Sequence, residues 1–217
     1  MRLVFLGPPG VGKGTQAEGL ALQLEIPHIS TGAILRDALG RGTTTGLEAK
    51  KFMDAGDLVP DAVVLKLVED RFSEQDAASG WLLDGYPRNL QQGAALDGLL
   101  STLQLTLDHV VFFECDSAEL VRRLAGRRVC RKCGTTFHIE FAPPPLQSHC
   151  SQGGECEIYQ RSDDAEDAIL KRLDVYQRET GPLVEHFRSQ SRLIVVDGGQ
   201  PIDQVGVDLQ GALGLPK

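Results

Sequence analysis

Residues 7–15 read Gly7-Pro8-Pro9-Gly10-Val11-Gly12-Lys13-Gly14-Thr15. They follow the apolar run Arg2–Leu6, which reads as a short buried strand ended by glycine and proline. Beyond them Ala17, Leu20, Ala21 and Leu24 recur at three- and four-residue spacing, so residues 15–24 read as a helix. A glycine-rich turn between a strand and a helix is the context a phosphate-binding loop requires. Glycines let backbone N–H groups turn inward around an anion, and the helix N-terminus adds partial positive charge. Gly10, Val11, Gly12, Lys13, Gly14 and Thr15 are therefore candidate ligands of a nucleoside triphosphate. Lys13 would reach the transferring phosphates, and Thr15 offers a hydroxyl to a phosphate or a metal-bound oxygen. In one detail the loop departs from the usual form: Gly14 stands where the first Ser or Thr after the lysine is expected. GTPases, ATPases and small-molecule kinases all use such a loop, so it does not fix the reaction.

Outward from the loop, strands and helices alternate. His28–Ser30, Trp81–Asp84, His109–Cys115 and Leu193–Asp197 read as strands. Residues 33–39, 62–72, 89–100, 117–126 and 165–189 read as helical, with Ser30 or Thr31 as the cap of the first. Residues 40–60 read as helical pieces broken by Gly40, Gly42, Gly46, Gly56 and Pro60. The alternation predicts an α/β fold: a P-loop parallel sheet with helices on both faces. Two stretches interrupt it, a small helical insertion at 30–59 and a compact insertion of short strands and turns at 127–164. The expected core is then 1–29, 60–126 and 165–217.

The 217 residues suffice for one buried α/β core with small insertions. A net charge of −8 argues against a nucleic-acid partner. Yet Arg122, Arg123, Arg127, Arg128 and Arg131 cluster within ten positions, and Arg presents a fork of donors suited to phosphate. A small, highly anionic ligand fits this better than a polymer. There is no pattern of a signal peptide, no apolar run long enough for a membrane span and no even disulfide set of cysteines, so a reducing, cytoplasmic setting is expected. A monomer is expected as well.

Further motifs narrow the reaction. Ser30-Thr31-Gly32, Arg36, and Asp84-Gly85-Tyr86-Pro87-Arg88 followed by Gln92 resemble the monophosphate-binding signature of nucleoside monophosphate kinases. With the loop and the cysteine-bearing insertion, the chain resembles the adenylate kinase family in its long-lid, zinc-bearing form, from Met1 to about Pro201. The resemblance implies reversible phosphoryl transfer from Mg-ATP to AMP, giving two ADP. It implies an AMP site at Thr31, Arg36, Asp57, Leu58, Val59, Gly85, Tyr86, Pro87, Arg88 and Gln92, with Gln92 reading the base. It places Arg123, Thr136, Phe137 and Gln200 on the ATP side, Arg127 on the ATP phosphates, and Arg161 and Arg172 between the nucleotides. Lys13, Asp84, Arg88, Arg127, Arg161 and Arg172 would be the catalytic set, with Asp84 holding the water shell of Mg²⁺. Asp163-Asp164 would mark the lid hinge. Spacing puts Arg123 and Arg127 on one helix face.

The insertion carries Cys130-x2-Cys133, then Cys150 after sixteen residues. That is a strong structural zinc signature. The fourth ligand departs from the family pattern, because position 153 is glycine and the next cysteine is Cys156. We expect a site of Cys130, Cys133, Cys150 and Cys156, with His149 and Glu155 as rivals for the last place. Cys115 reads as a core residue. Two other functions are consistent with parts of the sequence: a kinase for another monophosphate, and a P-loop protein with a nucleic-acid-binding zinc ribbon.

Overall fold

The computed structural model describes residues 1–145 and 149–215. Residues 146–148 of the expected lid and the last two of the expected core lie outside it. The strands are β1 (Arg2–Leu6), β2 (His28–Ser30), β3 (Trp81–Asp84), β4 (His109–Glu114), β5 (Arg127–Cys130), β6 (Thr136–His138), β7 (Ile158–Tyr159) and β8 (Leu193–Asp197). The helices are α1 (Lys13–Gln23), α2 (Thr31–Gly40), α3 (Thr44–Ala55), α4 (Asp61–Phe72), α5 (Leu90–Thr102), α6 (Ser117–Gly126), α7 (Glu166–Val175), α8 (Gly181–Ser189) and α9 (Ile202–Ala212).

Five strands form one parallel sheet in the order β2-β3-β1-β4-β8. Successive side chains on a strand point to opposite faces. Val4, Leu6, Trp81, Leu83 and Val110 accordingly pack on one side with Val64, Val68, Leu96, Leu183 and Phe187 of α4, α5 and α8. Leu3, Phe5, Leu82, Val111 and Phe113 pack on the other with Ala17, Leu20, Val205 and Leu209 of α1 and α9. Both faces are covered, which is why these strands read as nearly unbroken apolar runs.

Register aligns the strand ends. Asp84 lies opposite Phe5 of β1 and Ser30 of β2, and Glu114 lies opposite Asp197 of β8. The phosphate loop, the start of α2, the Gly85–Arg88 turn and the Gly198–Gln200 turn therefore share one rim, at the carboxyl ends of the strands. In open parallel sheets that rim is where ligands bind.

A second sheet, β6-β5-β7, is antiparallel and separate. It lies within the expected insertion at 127–164. No helix among the described residues is long and apolar enough to cross a membrane.

Several boundaries differ from the sequence expectation. Residues 40–60 hold one continuous helix, α3, rather than pieces; Gly46 sits inside it because a Cβ there would strike Ala38 and Leu39 of α2. Ser30, not Thr31, caps α2, accepting from the Ala33 N–H at 3.4 Å. The stretch 165–189 is interrupted by a π-helical turn, Tyr176–Thr180, just before Pro182, which has no N–H to continue an α ladder. α9 was not foreseen, although Val205 and Leu209 show helical spacing. Arg127 does not share a helix face with Arg123, because α6 stops at Gly126 and Arg127 is already extended, with φ −66° and ψ 138°.

Candidate active site

The loop from Gly7 to Lys13 wraps the start of α1. Gly10 has φ +87°, and a Cβ there would lie 2.7 Å from Leu124 of α6, so only glycine lets the loop lie this close to α6. Lys13 Nζ donates to the carbonyl oxygens of Gly7 and Pro8, at 2.7 and 3.0 Å. Burial pulls its ammonium from an ordinary 10.5 to about 8, with Arg88, Arg172 and Arg127 adding to the pull and Asp84 opposing it. Burial acts to raise the Asp84 carboxyl, but His28, Lys13 and Arg88 hold it below the ordinary range. Asp84 Oδ2 is 3.6 Å from His28 Nε2, beyond hydrogen-bond distance.

Beside the loop, Thr31 is buried and its hydroxyl donates to the Gly85 carbonyl at 2.9 Å. Arg88 is fixed at three points. Its Nε donates to the Gly85 carbonyl at 2.8 Å, and its backbone N–H donates to Gln92 Oε1 at 2.7 Å. Its carbonyl accepts from the Thr180 hydroxyl at 2.7 Å, so the π-helical turn braces this arginine. Burial lowers the pKa of the Arg88 guanidinium. Burial, then Arg161, draws Arg36 down to about 9.

Three arginines meet the two acids at the exit of the small sheet. Arg127 makes a bidentate pair with Asp164, its Nε at 2.8 Å. Arg161 grips Asp163 in the same way. Arg172 Nη1 donates to the Asp163 carbonyl at 2.8 Å and to Asp164 Oδ1 at 3.1 Å. Burial acts to raise Asp163, but Arg172 and Arg161 outweigh it and hold the carboxyl at about 2. Arg123, farther along, donates to the carbonyls of Gly198 at 2.6 Å and Gly199 at 3.1 Å.

A single cavity of about 1610 Å³ joins these groups. Gly10, Val11, Gly12, Lys13, Gly14, Thr15, Asp84, Arg123, Arg127, Thr136, Phe137 and Gln200 line one part of it. Thr31, Arg36, Asp57, Leu58, Val59, Gly85, Pro87, Arg88 and Gln92 line another, with Arg161 and Arg172 also on the wall.

The sequence profile described as Adenylate kinase matches residues 5–192. A protein named Adenylate kinase from Methanocella arvoryzae is 48% identical over 213 residues, covering 98% of each chain. One of the same name from Clostridioides difficile is 48% identical over 219 residues, covering all of both chains. Another, from Alkaliphilus oremlandii, is 46% identical over 214 residues, covering 99% of each. The chain belongs to the adenylate kinase family.

The structure corrects one residue expected from the likeness to that family. Tyr86 does not reach the cavity. It is fully buried in the core, and its hydroxyl donates to the Gln92 carbonyl at 3.2 Å. Thr136 and Phe137 lie on β6 as edge-sheet residues. His138 acts as a turn residue, its Nδ1 accepting from the N–H groups of Glu140 and Phe141 at 3.0 and 3.1 Å. Arg122 pairs with Glu140 and lies over the Phe141 ring. Cys115 is partly buried beside the core, just past β4.

The four cysteines of 127–164 come together. The Sγ atoms of Cys130, Cys133, Cys150 and Cys156 all lie within 4.8 Å of one another. Cys130 and Cys150 are 3.9 Å apart. A tetrahedral zinc with Zn–S bonds of about 2.3 Å needs sulfur atoms roughly 3.8 Å apart, so the donor set fits such an ion. The positive-φ pair Gly153 (+95°) and Gly154 (+72°) folds the longer loop back. His149 and Glu155 face each other across an isolated bridge and are not part of the sulfur cluster.

Sequence reasoning missed Asp61, Asn89 and His28. Asn89 directly precedes α5 and caps it, accepting from the Gln92 N–H at 2.8 Å; the capping rule would have found it. Asp61 touches Gln92 across 31 positions, and no local pattern announces that.

Proposed function

We propose that the cavity holds two nucleotides at once and that the chain catalyses reversible phosphoryl transfer from Mg-ATP to AMP, giving two ADP. The observation that carries this reading is the continuity of one cavity from Lys13 and Arg123 through Arg127, Arg161 and Arg172 to Arg88 and Gln92. Phosphoryl transfer needs little covalent help from protein groups; it needs positioning and neutralisation of charge. In the forward direction an oxygen of the AMP phosphate attacks the γ-phosphorus of ATP. The bond to the β–γ bridging oxygen breaks, and ADP leaves with that oxygen.

Each residue has a part in this reading. The backbone N–H groups of 10–15 and Lys13 hold the β- and γ-phosphates, and Lys13 travels with the transferred group. Arg88 and Arg36 grip the AMP phosphate, and Gln92 faces its base. Arg127, Arg161 and Arg172, which pair with Asp163 and Asp164, would exchange those carboxylates for phosphate oxygens when nucleotides bind. Asp84 and Thr15, both on the cavity wall beside the loop, would hold Mg²⁺ through its water shell; the ion supplies charge neutralisation on the phosphates when bound. Residues 30–59 act as the AMP-binding insertion and 127–164 as a lid that excludes water, with zinc in the four-cysteine cluster as its structural staple. The site is complete within one chain, which supports action as a monomer.

A coupled assay of ADP formation from ATP and AMP tests the reading. Arg88→Ala should lower kcat about 10²–10³-fold, the range seen when one preorganised transition-state donor is removed. Equal turnover of UMP or CMP by the unmodified protein, or an unaffected Arg88→Ala variant, would overturn it.

A further inference from the structure

Gln92 is almost wholly buried, and its amide is held from both ends. Oε1 accepts from the Arg88 backbone N–H at 2.7 Å, and Nε2 donates to Asp61 Oδ1 at 2.6 Å. Asp61 is itself fixed. It opens α4, where the helix N-terminus favours negative charge, and Asn89 Nδ2 donates to both its oxygens at 3.2 Å. Asn89 is oriented in turn, because its Oδ1 caps α5.

An amide can be turned over, exchanging its oxygen and nitrogen. Here neither exchange is tolerated. A backbone N–H only donates and needs the amide oxygen; a carboxylate only accepts and needs the amide nitrogen. Turning Gln92 over would set donor against donor at Arg88 and acceptor against acceptor at Asp61. Each buried mismatch of this kind costs about 1–3 kcal/mol. The amide nitrogen keeps a second hydrogen and the oxygen a second lone pair, and Gln92 lies on the cavity wall.

We propose that Asp61 is a specificity-determining positioning residue: it locks Gln92 in the one orientation that accepts a 6-aminopurine monophosphate and rejects a 6-oxopurine. This rests on the reading that Gln92 faces the acceptor base. Adenine offers an N–H₂ at position 6 and an acceptor at N1. Hypoxanthine offers an acceptor at O6 and an N–H at N1. The locked amide matches the first, whereas only a turned-over amide matches the second. Asp61 never touches the base; it acts through Gln92, and the Arg88 backbone supplies the opposing constraint.

The test compares kcat/KM for AMP and IMP, with ATP as donor, in the unmodified protein, Asp61→Asn, Asp61→Glu and Gln92→Leu. Asparagine can present a donor toward Gln92, so one of the two mismatches that bar the turned-over amide is relieved. The AMP:IMP ratio in Asp61→Asn should fall at least about tenfold, which corresponds to relief of one mismatched hydrogen bond. Asp61→Glu, which keeps a pure acceptor, should retain most of the ratio. Both substrates are measured in one preparation, so partial unfolding cancels from the ratio. If Gln92→Leu collapses discrimination while Asp61→Asn leaves it intact, the lock is wrong and the base-reading role of Gln92 stands. If Gln92→Leu also leaves it intact, the base-reading role fails and the lock fails with it.

Discussion

Lys13 shows how one buried residue couples binding to pH. Its ammonium is satisfied by two loop carbonyls, yet burial lowers it from 10.5 to about 8. Without ligand, a large share of Lys13 should therefore be neutral at pH 9. Triphosphate oxygens favour the charged form, so binding must raise the pKa again. Between roughly pH 8 and 10, ATP binding takes up a proton; near pH 7 Lys13 is already charged and contributes little uptake. Calorimetry of a non-hydrolysable ATP analogue at pH 9, in two buffers of different ionisation enthalpy, should show uptake approaching one proton. Lys13→Met should abolish that uptake. Absence of uptake in the unmodified protein would mean that Lys13 stays charged without ligand.

At the scale of elements, the contact between α2 and α3 sets the shape of residues 30–59. A Cβ on Gly46 would lie 2.3 Å from the Ala38 carbonyl carbon and the Leu39 nitrogen, both rigid backbone. Gly46→Ala must push the helices apart, and overpacking of this kind costs typically about 1–3 kcal/mol. The expected result is a lower unfolding midpoint and a raised KM for AMP with a smaller change in KM for ATP. A stabilised variant would show that the helices separate freely. The same glycine explains a limit of sequence reading. Gly46 reads as a helix break because glycine has poor helix propensity, whereas close packing retains it inside α3. Local signals were legible: the phosphate loop, Trp81–Asp84 and the Cys130–Cys133 pair each carry their chemistry in adjacent residues. Asp61 was not legible, because its meaning lies in Gln92 and Asn89, brought to it by the packing of α4 against α5. α9 lay past the reach of the family resemblance, and Tyr86 sits between Gly85 and Pro87, which do line the cavity.

The whole molecule is divided by where its apolar residues lie. The parallel sheet has two continuous cores, one on each face. The described part of 127–164 has almost none: its buried residues are Cys130, Cys150 and Asp164. A segment with so little apolar surface to bury cannot offset the entropy of ordering by packing alone. In the proposed reading, zinc in the four-cysteine cluster would take the place of a core, and metal binding would become folding energy for that unit. Zinc removal should therefore act locally. Protein purified without chelator should carry close to one equivalent of zinc, and less than about half an equivalent would count against the site. After zinc is stripped, hydrogen exchange should rise across 127–164 while β1, β3 and β4 stay protected. Phosphoryl transfer should fall with it, since Arg127 and Arg161 hang on that unit. Cys156→Ser should reproduce the pattern, which also assigns the fourth ligand, because His149 and Glu155 would remain in place. Unchanged exchange across 127–164 in the stripped protein would show that the three-stranded sheet holds together without metal.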